Sequence, residues 1–161
     1  AVAACATFRG PARRFEILGE PGGIAVVDDY AHHPTEVAAA INAARQRYGE
    51  RRIIAIHTPH TYSRTRTLIE EYATSFDEAD IVVLGPIEAA RERHLLATVS
   101  SDDVAERVHG REVHVVEGSD AAVDLLLPMA EPGDVLLVLS LGGFDKIAQR
   151  LHHALAERAD G

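Results

Sequence analysis

Short apolar runs alternate with segments whose apolar residues recur at helical spacing along the 161 residues of this chain. Each run is long enough only for a strand and is rich in Val, Ile or Leu, which indicates strands buried in a sheet. Strands are predicted at residues 15–18, 24–27, 52–56, 81–84, 113–116 and 135–139. The periodic segments predict helices at residues 34–48, 65–76, 102–108, 119–129 and 144–158.

The order of these elements indicates an α/β fold. Residues 19–23 (Gly-Glu-Pro-Gly-Gly) join the first two strands and predict a hairpin or a pair of adjacent strands. Strands then alternate with helices, which predicts a mostly parallel sheet of about six strands with helices on both faces, a three-layer sandwich. Ser101 and Ser119 are predicted to cap two of the helices.

Four segments follow predicted strands, at the edge where open parallel sheets bind their ligands. They are residues 28–34, 57–66, 85–92 and 140–145. The first two concentrate Asp, His, Tyr and Arg between a strand and a helix, which is more polar chemistry than a connection needs. Helix capping together with Pro34 in the first turn explains residues 28–34 equally well, so both interpretations stay open.

Composition narrows the possible functions. The chain is 47% hydrophobic and 25% charged, which is typical of one soluble domain. Its formal net charge of −9 argues against a nucleic-acid-binding protein. No apolar run reaches the ~20 residues that span a bilayer, so we predict no membrane partner. The single cysteine, Cys5, excludes a disulfide framework and favours a cytoplasmic location.

Arginine supplies nearly all of the positive charge, since Lys146 is the only lysine. A phosphate-binding loop ending in Lys-Ser or Lys-Thr is therefore absent from the sequence. Arg64, near a predicted helix start, is the best candidate to hold a carboxylate or phosphate. The histidines lack carboxylates at the helical spacing of His-Glu-x-x-His, so we predict no metal site.

Gly142 and Gly143 follow the most hydrophobic predicted strand. Glycines at this place let a ligand approach the backbone closely, and with Ser140 they form a candidate ligand loop. A tight strand-to-helix turn is the alternative explanation. The spacing does not match the Gly-x-Gly-x-x-Gly pattern of dinucleotide-binding loops.

Four segments, in order and over nearly the whole chain, resemble the C-terminal domain of the Mur ligases, the ATP-dependent amino-acid ligases of peptidoglycan synthesis. They are residues 13–16 (Arg-Arg-Phe-Glu), 28–36 (Asp-Asp-Tyr-Ala-His-His-Pro-Thr-Glu), 59–65 (Pro-His-Thr-Tyr-Ser-Arg-Thr) and 89–92 (Ala-Ala-Arg-Glu). The resemblance implies a Rossmann-like domain over residues 9–161. It also implies that residues 1–8 end a linker from a missing ATP-binding domain, an expectation that the first residue, Ala1, supports.

In that family ATP activates a sugar carboxylate as an acyl phosphate, which the amine of an amino acid attacks. The resemblance implies that ATP and Mg²⁺ are bound mainly by the missing domain. It further implies that this domain is inactive without its own ATP-binding and UDP-sugar-binding domains. The implied catalytic residues are His32, His33 and Arg64, and the implied nucleotide contacts are Arg14, Asp28 and Tyr30. The implied substrate-binding residues are His60, Tyr62, Arg64, Ser140, Gly142 and Gly143.

Two segments of the chain point to different amino-acid or peptide substrates. Residues 60–65 resemble the members that join L-alanine to UDP-N-acetylmuramate, whereas residues 142–144 (Gly-Gly-Phe) resemble the members that recycle murein tripeptide. We expect the L-alanine reaction. The recycling reaction and a stand-alone module that binds a small anion or nucleotide are the alternatives.

Overall fold

The computed structural model describes residues 13–95, 98–141, 144 and 146–160. Its strands are β1 (Glu16–Gly19), β2 (Ala25–Asp29), β3 (Ile53–His57), β4 (Ile81–Leu84), β5 (Glu112–Val115) and β6 (Val135–Leu139). Its α-helices are α1 (Pro34–Tyr48), α2 (Tyr62–Thr67), α3 (Ile69–Ser75), α4 (Ser101–Ala105), α5 (Ser119–Met129) and α6 (Ile147–Asp160). No helix in these described residues is long and apolar enough to cross a membrane.

One sheet contains all six strands, in the order β1-β2-β6-β3-β4-β5. β1 is antiparallel to β2, and every other neighbouring pair is parallel. Of the two predicted arrangements, a hairpin or a pair of adjacent strands, the structure has the hairpin, because β1 and β2 pair antiparallel and Pro21–Gly23 forms a short 3-10 turn between them. Gly22 and Gly23 adopt φ of 59° and 80° there, a backbone region that glycine enters without strain.

Apolar side chains cover both faces of the sheet, so the predicted three-layer α/β fold is confirmed. Val27 of β2 belongs to the core that Ile41 of α1 helps to form on one face. Val26, its neighbour in the same strand, packs into the opposite core with Leu126 of α5 and Leu151 of α6. Successive side chains of a strand alternate between faces, so β2 contributes to both layers.

Some helix ends differ from the prediction. The helix expected at residues 65–76 is two helices that meet at Leu68, whose φ of −105° and ψ of 17° leave the helical region. Ser100 rather than Ser101 caps α4, because Ser101 Oγ instead donates to the carbonyl of Gly85 at 2.6 Å. Helix α5 begins after Gly118 and has no side-chain cap. Tertiary contacts therefore decide the exact ends.

The carboxyl ends of β2, β6, β3 and β4 lie side by side. Backbone hydrogen bonds continue just beyond them, with Ser140 N donating to Asp29 O at 3.0 Å and Gly85 N donating to His57 O at 2.8 Å. The loops that follow these four strands consequently meet along one border of the sheet. We call this border the carboxyl edge.

Candidate active site at the carboxyl edge

Asp28 and Asp29 end β2 but point to opposite faces of the sheet. The Asp28 side chain is 2% exposed and accepts hydrogen bonds from Arg13 Nε at 3.0 Å and Gln149 Nε2 at 3.3 Å. The same guanidinium donates to the carbonyl oxygen of Ser140 at 2.6 Å. Asp28, predicted to contact a nucleotide, is thus engaged by protein donors and ties the start of β1 to the loop after β6.

Asp29 lies on the other side, toward Arg14. Its carboxylate accepts from Phe15 N at 2.7 Å and Ala31 N at 2.8 Å. Burial raises the pKa of Asp29, and the two backbone N–H groups and the Arg14 charge oppose that effect only in part. Sequence reasoning missed Asp29, although the alternation of side chains along a strand already separates it from Asp28.

The two histidines after β2 have different surroundings. His33 is the N-cap of α1, and its Nδ1 accepts from Thr35 N at 3.3 Å. Glu36 Oε2 accepts from the backbone N–H groups of both His32 and His33, at 3.2 and 3.3 Å. Burial raises the pKa of Glu36, but those two N–H groups together with the His32 and Arg14 charges lower the pKa overall. The capping interpretation and the ligand-site interpretation of residues 28–34 therefore apply to different residues.

His32 is oriented toward the carboxyl edge. Its Nδ1 lies 3.2 Å from the carbonyl oxygen of Tyr30 and 3.3 Å from Glu36 Oε2, so Nδ1 is placed to donate. The His32 ring meets the Tyr30 ring at 5.9 Å and the His60 ring at 5.8 Å between centroids, both edge to face. The loops after β2 and β3 are joined by this row of three rings.

His60 and Arg64 come together at the start of α2. Thr61 takes a φ of 65° and turns the chain into the helix, which places Arg64 in its first turn. Arg64 Nη1 and His60 Nδ1 are buried and have no hydrogen-bond partner in the described part of the chain. Burial lowers the pKa of His60; the Glu88 charge opposes the shift, and the Arg64 and His32 charges add to it.

The remaining predicted substrate residues are distributed differently. Tyr62 is 5% exposed and packs with Ile87 and Val99 in a small apolar cluster. Ser140 is buried and borders a cleft of about 440 Å³ between β6 and the start of α6, together with Phe144. Gly142 and Gly143 lie outside the described residues.

Polar atoms left without partners concentrate at this edge. The described residues contain six buried side-chain nitrogen or oxygen atoms that have no hydrogen-bond partner. Five of the six belong to the end of β3 or to the segments after β3 and β4, namely to His57, Thr58, His60, Arg64 and Glu88. Buried polar groups are normally satisfied by protein, by ordered water or by a bound group, so this concentration marks the edge as a candidate ligand site.

The same edge also contains histidines, which are possible metal ligands. The part of the chain that the structure describes has no group of three or more His, Cys, Asp and Glu side chains that could hold an ion. His57 is fully buried, and its Nδ1 lies 2.8 Å from the carbonyl oxygen of Leu139. Burial lowers the pKa of His57 to about 4, so it is neutral at pH 7. The guanidinium group of Arg64 makes this edge suited to an anion.

An α/β domain whose carboxyl edge gathers histidine and arginine side chains is the class that these observations define. Residues 13–142 match the model of the family described as Mur ligase, glutamate ligase domain, and the chain belongs to that family. A UDP-N-acetylmuramate–L-alanine ligase from Chloroflexus aggregans is 45% identical over 91% of this chain. The chain spans 31% of the length of that relative.

Solved structures agree with this assignment. A murein peptide ligase from Psychrobacter arcticus is 29% identical with a TM-score of 0.76, covering 96% of this chain and 32% of the other. A domain from a Haemophilus ducreyi protein, described as a UDP-N-acetylmuramate:L-alanyl-γ-D-glutamyl-diaminopimelate ligase, is 31% identical with a TM-score of 0.68. That alignment covers 89% of this chain and 100% of the domain.

Proposed function

We propose that this domain forms the amino-acid-binding wall of an ATP-dependent ligase that joins L-alanine to UDP-N-acetylmuramate in peptidoglycan synthesis. It acts in the cytoplasm, together with an ATP-binding and a UDP-sugar-binding domain of the same ligase. The 45% identity to a relative named UDP-N-acetylmuramate–L-alanine ligase supports the choice of L-alanine over murein tripeptide.

The buried, unpartnered Nη1 of Arg64 is the observation that carries this proposal. Arg64 is half-buried, and a guanidinium nitrogen that is held away from water without a partner is costly. The fork of donors of a guanidinium matches a carboxylate. Arg64 therefore binds the carboxylate of the incoming amino acid. His60 and His32 line the same place, and the neutral His60 ring accepts a hydrogen bond there.

In this proposal, ATP and Mg²⁺ are bound mainly by the rest of the ligase. ATP supplies the phosphoryl group that activates the sugar carboxylate. On this chain, Arg14 and the exposed ring of Tyr30 offer a cation and an aromatic face to the nucleotide, while Asp28 supports that surface by holding Arg13. His33 caps the start of α1 in the loop that carries Tyr30.

Phosphate release by the full-length ligase tests the proposal. We expect release that requires ATP, UDP-N-acetylmuramate and L-alanine together, and none from the isolated 161 residues. A higher kcat/KM for murein tripeptide than for L-alanine would replace the proposed substrate by the recycling one. Ligation by the isolated chain, or tight nucleotide binding without any ligation by the full-length protein, would contradict the proposal.

Arg64→Ala sharpens that test. Losing a charged hydrogen bond to the substrate should reduce kcat/KM for L-alanine by about 10- to 100-fold, with an unchanged KM for ATP. Arg66→Ala is the matched control, because Arg66 is exposed and lies two residues further along α2. Equal kcat/KM values for L-alanine in the two variants would show that Arg64 is not part of the substrate site.

A further inference from the structure

We propose that Glu88 binds the α-ammonium group of the incoming amino acid, opposite Arg64, which binds the carboxylate. Resting on the function proposed above, this inference adds a substrate-binding residue that the motifs did not single out. Together the two side chains recognise the zwitterion that an α-amino acid forms at neutral pH.

Backbone contacts fix the position of Glu88. Its N–H donates to Pro59 O at 2.8 Å, and its carbonyl oxygen accepts from Thr61 N at 2.9 Å. These bonds make an isolated parallel bridge between His60 and Glu88. The loop after β4 is therefore attached to the loop after β3, next to the segment that carries Arg64.

The charge of Glu88 lies close to the candidate site. Oε2 of Glu88 is buried without a hydrogen-bond partner, as is Nη1 of Arg64. Both charges act on the same imidazole ring, since Glu88 raises and Arg64 lowers the pKa of His60. No ion pair within 4.0 Å joins Glu88 to a cation among the described residues.

The neighbouring carboxylates already accept hydrogen bonds from the protein. Glu92 accepts from Ser63 N at 2.8 Å and Ser63 Oγ at 2.5 Å, which occupies both of its oxygens at the start of α2. Glu36 accepts from two backbone N–H groups at the start of α1. Glu88 is thus the carboxylate beside Arg64 and His60 whose buried oxygen has no protein partner.

Arg64 and Glu88 are half-buried, and the one buried atom of each charged group, Nη1 and Oε2, has no hydrogen-bond partner among the described residues. Leaving such atoms unpaired is unfavourable. An α-amino acid satisfies both, because its carboxylate and ammonium groups flank one carbon atom. A bound zwitterion would then supply the missing partner of each side chain. The same arrangement would favour a free amino acid over a simple anion.

Glu88→Gln in the full-length ligase tests this, since it keeps the shape and removes the charge. We expect the KM for L-alanine to rise about 10-fold or more, with the KM for ATP and UDP-N-acetylmuramate unchanged. Glu50→Gln, at an exposed residue beyond the end of α1, is the control and should leave all three KM values unchanged. Glu88→Asp, which keeps the charge on a shorter stem, should fall between wild type and Glu88→Gln.

Competitive inhibitors separate the two charges. L-alaninamide keeps the ammonium group of the substrate, and propionate keeps its carboxylate. Glu88→Gln should therefore weaken inhibition by L-alaninamide and change inhibition by propionate by no more than about 2-fold. Arg64→Ala should weaken inhibition by propionate and leave inhibition by L-alaninamide within the same limit. Equal weakening of both inhibitors, or an unchanged KM for L-alanine in an active ligase, would overturn the role of Glu88 alone. A wild-type ligase that does not use L-alanine would instead overturn the proposed function.

Discussion

Asp28→Asn distinguishes a structural role of Asp28 from the nucleotide contact expected from the sequence. Asp28 is 2% exposed and its carboxylate faces Arg13, which is 31% exposed. Breaking a buried ion pair costs about 3–5 kcal/mol. Because Arg13 is nearly a third exposed and keeps the carbonyl oxygens of Ser140 and Leu141, we expect a loss of about 2–3 kcal/mol in the free energy of unfolding.

Denaturation of this chain by urea at pH 7 measures that loss. A double-mutant cycle with Arg13→Met should give a coupling energy on the order of 2 kcal/mol between the two side chains. Asp120→Asn is the control, because Asp120 pairs with Arg150 at 2.6 Å but is 90% exposed, so its loss should stay below about 1 kcal/mol. An Asp28→Asn protein of wild-type stability whose ligase has a raised KM for ATP would refute this reasoning.

Two other predictions concern the buried side of the carboxyl edge. His57 has a folded-state pKa of about 4, and its unfolded pKa is near 6.5, so protonation favours unfolding. Its contribution to the free energy of unfolding is present above pH 6.5 and should fall by roughly 3 kcal/mol as the pH drops to 4. Parallel pH profiles for wild type and His57→Gln would contradict this. Gly85→Ala would place a methyl group 2.6 Å from the Phe144 ring and 2.7 Å from Thr58 Cγ2. We expect urea denaturation to show a loss of about 1–3 kcal/mol in the free energy of unfolding, which adding Phe144→Leu should partly recover. An unchanged free energy of unfolding would disprove the close packing.

Hydrophobic pattern predicted much of the fold because it reports directly which residues can be buried. Strand β6 was predicted at its observed bounds, and strand β3 within one residue. The split between α2 and α3 at Leu68 was not predicted, since the apolar spacing continues through it. Ser101 resembles a helix cap in sequence but turns to Gly85, a residue from a different strand end.

The sequence also predicted part of the candidate site, because the pattern of strands and helices shows which loops follow the strands. The order of strands and helices indicated that residues 28–34 and 57–66 lie at one edge, and the structure brings His32, His60 and Arg64 together there. The placement of Tyr62 in an apolar cluster could not be read from the motif, because its neighbours Ile87 and Val99 are distant in sequence.

Local sequence by itself determined the α/β class, the edge that carries the polar loops, and the family resemblance, because periodicity and motifs are properties of neighbouring residues. Only the tertiary structure decided which carboxylates are available. Asp28 is held by Arg13, Glu36 and Glu92 accept from the starts of α1 and α2, and Glu88 keeps a buried oxygen without a partner. Hydrogen-bond satisfaction depends on groups that the fold brings from distant parts of the chain, so no spacing of residues could have revealed it.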